Sequence, residues 1–395
     1  MVTRQPNPDS SQERMTSPES PQDSWQIYQG NNAAPHDDIE ERLPAAPSWR
    51  PFGKDISPGV SRRKRRGKTF QTRPEEVKMV NAALYLRRPL LITGKPGTGK
   101  SSLAYSVAEE LKLGEVLYWP ITTRTTLKSG LYNYDAIGRL QEVKEAEASG
   151  PPDGDVDSRQ AQAEKIAKFI TLGPLGTALL PSSRPRVLLI DEIDKSDIDL
   201  PNDLLTLFEE GRFEVTELLR LEEDDPDSGQ VAKPVSVRVR TAYSDREEIT
   251  RKDLKALVIG GRITCEEFPL VILTSNGERD FPPPFLRRCL RLNMYEPDPE
   301  QLKAIVRKHF ELATDSQVSE AAISQWVKAF LAKRDNKEQL ATDQLLNALF
   351  MVAQSRGPIG DDMEEFINGF LLSPLDRPLA AKPKDRTTDA TDTQR

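Results

Sequence analysis

The sequence predicts an α/β fold: a parallel-sheet core, a small all-helical unit after it, and polar tails at both ends. Three observations carry this expectation. Residues 89–93 form a short apolar run that leads into a glycine-rich loop, an amphipathic helix over 101–111 and a second apolar run at 116–119. Strand, loop, helix, strand is a βαβ unit, whose two strands are parallel. Two more short runs, 187–190 (VLLI) and 270–273 (LVIL), are apolar throughout, as strands covered on both faces must be. From Pro299 to Leu372 only helical periodicity remains.

The elements follow in order. Residues 1–66 lack periodicity and are rich in Pro, Ser, Gln, Asn and acid; such a segment buries too little apolar surface to offset its ordering entropy and is expected to be disordered. Within it, 47–52 (PSWRPF) carries two aromatics able to dock on a folded surface, and Arg62-Arg63-Lys64-Arg65-Arg66 forms a basic arm. That arm is either a solvated tether or a contact for nucleic acid, an acidic partner or an import receptor. Helical spacing starts at Glu75 and runs to Leu86. The hydrophilic stretch 142–162, with Pro151-Pro152-Asp153-Gly154 in its middle, predicts a loop insertion. A helix is expected over 200–210. Residues 213–221 and 235–241 are expected to be strands flanking the acidic turn 222–227, a hairpin-like insertion around 222–234. Helices at 300–312, 319–334, 342–355 and 362–372 complete the chain. The expected domains are therefore 67–296 (α/β) and 297–372 (helical), with a polar, disordered tail over 373–395.

Composition narrows the chemistry. Of 395 residues, 37% are hydrophobic and 30% charged, with a net charge of −7, which argues against wholesale coating of nucleic acid or anionic membrane. Two cysteines, Cys265 and Cys289, build no disulfide scaffold, and a reducing compartment fits them. With only His36 and His309, a histidine-rich metal site or a histidine-activated nucleophile is not expected. The start, MVTRQPNPDS, has no apolar core, and no run approaches the length of a membrane span. The expectation is a cytoplasmic chain without signal peptide or membrane span.

The chemistry sits at the strand ends. Gly94-Lys95-Pro96-Gly97-Thr98-Gly99-Lys100-Ser101 satisfies G-x4-G-K-[S/T] between a strand and a helix. In such a loop backbone N–H groups converge on phosphates, the helix N-terminus and Lys100 add positive charge, and the Ser101 hydroxyl is a Mg²⁺ ligand. The candidate nucleotide-binding residues are Gly94, Pro96, Gly97, Thr98, Gly99, Lys100, Ser101 and Ser102. Asp191 and Glu192 close the 187–190 strand: Asp191 is placed to hold Mg²⁺ and Glu192 to polarise an attacking water. Asp194 and Lys195 read as a structural turn, with a catalytic role as the alternative. Asn276, in Thr274-Ser275-Asn276 after the 270–273 strand, is placed to orient that water.

The order of phosphate loop, Asp-Glu-Ile-Asp, Thr-Ser-Asn and Phe285-Leu286-Arg287-Arg288-Cys289 resembles a P-loop NTPase of the AAA+ class, and within it the MoxR-type branch. Leu175 to Leu180 ahead of the acidic strand, the hairpin-like insertion before Leu270, and Arg-Cys where that branch shows Arg-Phe carry the finer resemblance. The resemblance spans about residues 70–372. It implies an ATP- and Mg²⁺-dependent hydrolase forming a homo-oligomeric ring, a hexamer, in which Arg288, or Arg287 beside it, reaches the neighbouring subunit's nucleotide. It further implies a chaperone-like remodeller of a protein client, often one with a von Willebrand A domain. The helical lid departs from the pattern: Gln344 stands where an arginine is expected, which points to slow turnover. A nucleic-acid-associated or restriction-type NTPase, and a nucleotide-gated switch, are the alternatives.

Overall fold

The computed structural model describes residues 27–28, 37, 39–50, 67–148, 159–221, 234–243, 254–311, 318–336, 338–354 and 365–375. Its centre is a five-stranded, all-parallel sheet of β1 (Leu90–Thr93), β2 (Leu117–Pro120), β5 (Val187–Asp191), β10 (Leu270–Ser275) and β11 (Leu290–Asn293), in the order β11-β1-β10-β5-β2. Leu90 lies opposite both Ile272 and Leu290, and Val187 opposite Leu270. Alternation along each strand divides the apolar side chains between two layers. Leu91, Leu188, Ile190, Val271 and Leu273 enter one core with Trp119 and Phe285. Leu90, Ile92, Val187, Leu189 and Ile272 enter the other, with Leu103, Ala104 and Val107 of the helix Lys100–Glu110. Burial on both faces is why these strands read as unbroken apolar runs. Since all five strands run the same way, Thr93, Asp191, Ser275 and Asn293 reach one common carboxyl edge, where open α/β sheets bind ligands.

A second, six-stranded sheet holds β3 (Tyr132–Tyr134), β4 (Ile170–Leu172), β6 (Arg212–Glu214), β7 (Ser236–Arg240), β8 (Lys255–Ile259) and β9 (Arg262–Thr264), in the order β3-β4-β7-β8-β9-β6. Two expectations are corrected here. The strand expected over 213–221 covers only Arg212–Glu214; the chain then turns into the helix Thr216–Leu219. A helical turn lets Val215 and Leu218, three apart, both bury completely. The partner of β7 is β8, with Val237 opposite Val258, while β6 pairs with β9. Gly260 and Gly261, both at positive φ (58° and 63°), make the tight β8–β9 turn. The second correction is at 142–162. Its described flanks are helical, in Ala136–Ala148 and Arg159–Ala167. Glu, Lys and Ala favour helix however hydrophilic the run is. Gln160 also ties the second helix to β7, donating to the Ser236 carbonyl at 2.8 Å. Residues 149–158 and 222–233 lie outside the described residues, as do the basic arm and the ends of the tails.

The chain divides into two compact units. The larger takes the described residues of 46–314 with Ala341–Asp343, and includes the helix Pro299–Glu311, which buries Leu302, Val306 and Phe310 at intervals of four. The helix Pro299–Glu311, which the sequence assigns to the lid, groups with the larger unit. The stretch 47–50 docks in this unit. Trp49 packs edge-on against His309 and Phe310, with ring centroids at 5.8 and 5.9 Å. Ser48 Oγ donates to the His309 carbonyl at 2.9 Å. In the smaller unit, the helix Glu320–Asp335 opens on a Ser319 cap, its Oγ accepting from the Ala322 N–H at 3.2 Å, and buries Ile323, Trp326, Val327 and Phe330. Lys333 Nζ closes that unit by donating to the carbonyls of Asn368 and Leu372 at 2.7 and 3.0 Å. No helix among the described residues is long and apolar enough to cross a membrane.

Candidate active site

β1 delivers the chain to the loop 94–99, and its backbone accounts for the glycines. Gly94, Gly97 and Gly99 hold φ of 147°, 78° and 89°, a range that side chains resist. A Cβ at Gly94 would run into the Met294 carbonyl oxygen, and one at Gly99 would stand 2.8 Å from the Phe70 ring. Gly99 caps the helix Lys100–Glu110. Thr98 Oγ1 donates to the Lys95 carbonyl at 2.9 Å, and Lys95 itself pairs with Glu296 at 3.1 Å. Pro96 and Gly97 are exposed, and Ser101 and Ser102 are half-buried in the first helical turn.

Lys100 is buried, its Nζ folded over the loop and donating to the carbonyls of Gly94 and Lys95 at 2.7 and 2.9 Å. Burial holds its pKa below the usual lysine value, opposed by the nearby charges of Asp194, Asp191 and Glu192. A cation kept desolvated beside carboxylates is poised for an anionic ligand.

Asp191 gathers hydroxyls. Ser101 Oγ and Thr274 Oγ1 donate to its Oδ1 at 2.7 and 2.6 Å, and the Tyr118 hydroxyl donates to Oδ2 at 3.2 Å. Glu192 has a left-handed backbone, φ 60° and ψ 48°, a strain of about 1–3 kcal/mol for a residue with a side chain. Its N–H is held by Thr274 Oγ1 at 3.0 Å. Its side chain is held at both oxygens: Lys195 Nζ stands 2.8 Å from Oε2, and Asn276 Nδ2 3.5 Å from Oε1. The structure therefore brings Lys100, Ser101, Asp191, Glu192 and Asn276 to one edge of the sheet. Sequence reasoning left Tyr118 and the Thr274 hydroxyl without a role, and read Lys195 as part of a turn, not as the partner of Glu192. Tyr118 has no signal of its own; only the pairing of β2 with β5, Tyr118 opposite Leu189 and Pro120 opposite Asp191, places it.

The arginines lie elsewhere. Arg288, in the last turn of the helix Pro283–Arg288, donates from Nε to Glu209 Oε1 at 2.7 Å. Arg287 is exposed. Neither bonds to the loop or the acid pair among the described residues. In the smaller unit Gln344 Nε2 donates to the carbonyls of Leu371 and Ser373 at 3.2 and 2.8 Å.

The oxygens of Ser101 and Asp191 fit Mg²⁺, a hard cation taken up by one or two carboxylates together with substrate phosphates. No group of three or more His, Cys, Asp or Glu side chains able to hold a metal by themselves occurs among the described residues, so the donor set suits a cation that arrives with phosphate.

Residues 89–259 match the family model of the AAA domain, dynein-related subfamily. The matched stretch takes in the glycine loop and the acid pair and stops before Asn276 and the two arginines. It supports an AAA+ nucleotide-binding unit in this chain. No curated protein matches the sequence.

Proposed function

We propose that this chain is a Mg²⁺-dependent ATPase of the AAA+ class, of MoxR type, that works as a cytoplasmic hexameric ring and remodels a separate protein partner. The observation that carries the reading is the meeting of the Ser101–Asp191 pair and the Glu192–Asn276 pair, at 2.7 and 3.5 Å, on the edge that carries the glycine loop. Bound Mg²⁺ would supply charge neutralisation on the phosphates; Ser101 and Asp191 would hold it. The loop N–H groups and the N-terminus of the helix Lys100–Glu110 bind the phosphates, with Ser102 and Thr98 lining them, and Lys100 gives its charge to the anion. Glu192 takes the proton of the attacking water, and Asn276 orients that water between Glu192 and the γ-phosphate. Arg288, with Arg287 as its neighbour, serves the adjacent subunit, where a finger in trans adds ~10³–10⁵ in rate. Gln344 offers no charge at the lid, so turnover is slow. The client is a separate chain, and a protein with a von Willebrand A domain is the first candidate.

The test compares wild type with Glu192→Gln. Wild type should hydrolyse ATP and form rings by gel filtration, and Glu192→Gln should hold ATP and retain the client in pull-downs. Equal hydrolysis by both would sink the reading. Stimulation by polynucleotide, falling steeply with salt, would point to a nucleic-acid motor instead.

A further inference from the structure

We propose that Asp194 is a positioning residue for hydrolysis: it captures the backbone of the 276–278 loop and so sets the Asn276 carboxamide against Glu192. The proposal deepens the ATPase reading and rests on it. Asp194 is 3% exposed. Its Oδ2 accepts two backbone N–H groups, from Asn276 at 2.9 Å and Glu278 at 3.1 Å. Its Oδ1 is buried with no hydrogen-bond partner among the described residues. A buried carboxylate with one oxygen unserved is costly, and a turn alone does not require it. The short helix Ile193–Lys195 closes through its own backbone, Lys195 N–H to the Glu192 carbonyl at 2.9 Å and Ser196 N–H to the Ile193 carbonyl at 3.1 Å. The side chain of Asp194 is therefore spent on the other segment.

That segment needs it. The ladder of β10 ends with Ser275, opposite Thr93, so Asn276 is the first residue past the sheet. Gly277, at φ 79°, bends the loop around the carboxylate, and its N–H goes to Ser275 Oγ at 3.0 Å. Three successive N–H groups thus end on side-chain oxygens, two of them on Asp194. The carboxamide set this way meets Glu192 Oε1 at 3.5 Å, the outer limit of a hydrogen bond, so a small shift of the loop breaks the contact. Ile193, fully buried between Glu192 and Asp194, roots both acids in the core. Asp194 acts through Asn276 and does not touch the reacting atoms.

The experiment is a double-mutant cycle on the full chain with Asp194→Asn, Asn276→Ala and the pair, reading kcat and KM for Mg-ATP and ATP affinity by calorimetry. Asn276→Ala should slow kcat markedly. Asp194→Asn should cut kcat by ~10-fold or more, the cost of a small misplacement, with a much smaller change in KM, because the phosphate loop keeps its own groups and Lys100 loses only one of the three carboxylate charges near it. The pair should be no slower than Asn276→Ala alone. Multiplying effects, or wild-type kcat in Asp194→Asn, overturns the proposal. Wild-type kcat in Asn276→Ala instead overturns the site reading beneath it. Should Asp194→Asn fail to fold, amide hydrogen exchange of the wild type decides: the Asn276 and Glu278 N–H groups should be protected although they lie outside any strand, and exchange as fast as in an open loop overturns the proposal.

Discussion

Ser101 and Asp191, 90 positions apart in the chain, share a hydrogen bond of 2.7 Å at the carboxyl edge of the central sheet. The hydroxyl comes from the first turn of a helix and the carboxylate from the last residue of β5. Thr274 fastens the same oxygen from β10. Three separate stretches of chain thus fix one oxygen in advance of any ligand, the kind of preorganisation that spares reorganisation when charge arrives.

The loop lysine gives the first prediction. Lys100→Ala should abolish ATP binding, since the loop loses its full positive charge beside the phosphates. Isothermal titration checks it: unchanged affinity would remove the glycine loop as the nucleotide site.

A second prediction separates the two acids. Glu192→Gln should keep ATP bound while turnover falls by at least ~10²-fold, the usual loss on removing a general base. Asp191→Ala should weaken Mg²⁺-dependent binding, and it also removes the carboxylate that accepts from the hydroxyls of Ser101, Thr274 and Tyr118. Equal changes in affinity from both variants would dissolve the division of roles.

The third concerns the arginines. Arg288→Ala should bind ATP almost normally and lose most hydrolysis, with Arg287→Ala milder. Mixing Arg288→Ala with Lys100→Ala should restore activity, because one interface then joins an intact loop to an intact arginine. Mixed rings on gel filtration that remain inactive would rule out a finger shared between subunits.

A fourth prediction is pH-dependent. Burial pushes the His309 imidazole down to about 4, against ~6.5 in an unfolded chain. Between those values the unfolded chain holds a proton that the folded one refuses. This contribution to stability is complete above ~6.5 and is lost as pH falls toward ~4. Denaturation of wild type should therefore show an acid slope approaching ~1.4 kcal/mol per pH unit from this group alone, which His309→Gln removes. The emission of Trp49, packed on that ring, should report the same transition. Identical acid slopes for the two proteins would contradict the assignment.

The placement of the candidate residues at one sheet edge was legible because it is written in consecutive residues: a glycine loop needs φ values that only glycine takes easily, and an acid pair at the end of an apolar run announces a strand end. Thr274 and Tyr118 were not, because a hydroxyl gains its role only from sheet order. β2 pairs with β5, and β5 with β10, across more than one intervening element. The helices Glu320–Asp335 and Thr342–Ala353 were legible from periodicity, whereas the grouping of Pro299–Glu311 with the larger unit rests on packing that periodicity does not carry. The second sheet was the least legible. β8 is five residues long and follows a charged stretch, and β4 meets β7 at the single pair Thr171–Arg240. The strand expected over 213–221 gave way after Glu214 to a turn of helix, because Val215 and Leu218 both find the core that way.

The order of the central sheet also fixes when the protein can come into being. Both neighbours of β1, β10 and β11, are made long after it: Leu90 waits for Ile272 and Leu290. While the chain is being synthesised, the glycine loop emerges on a strand with two open edges, and its lysine has no acid pair to face. Closing so wide a loop is slow, and an unpaired apolar strand invites association with other chains. A nascent chain halted before residue 270 should consequently be unable to retain ATP and should depend on holdase chaperones. One extended past Asn293 should acquire nucleotide binding in a single step.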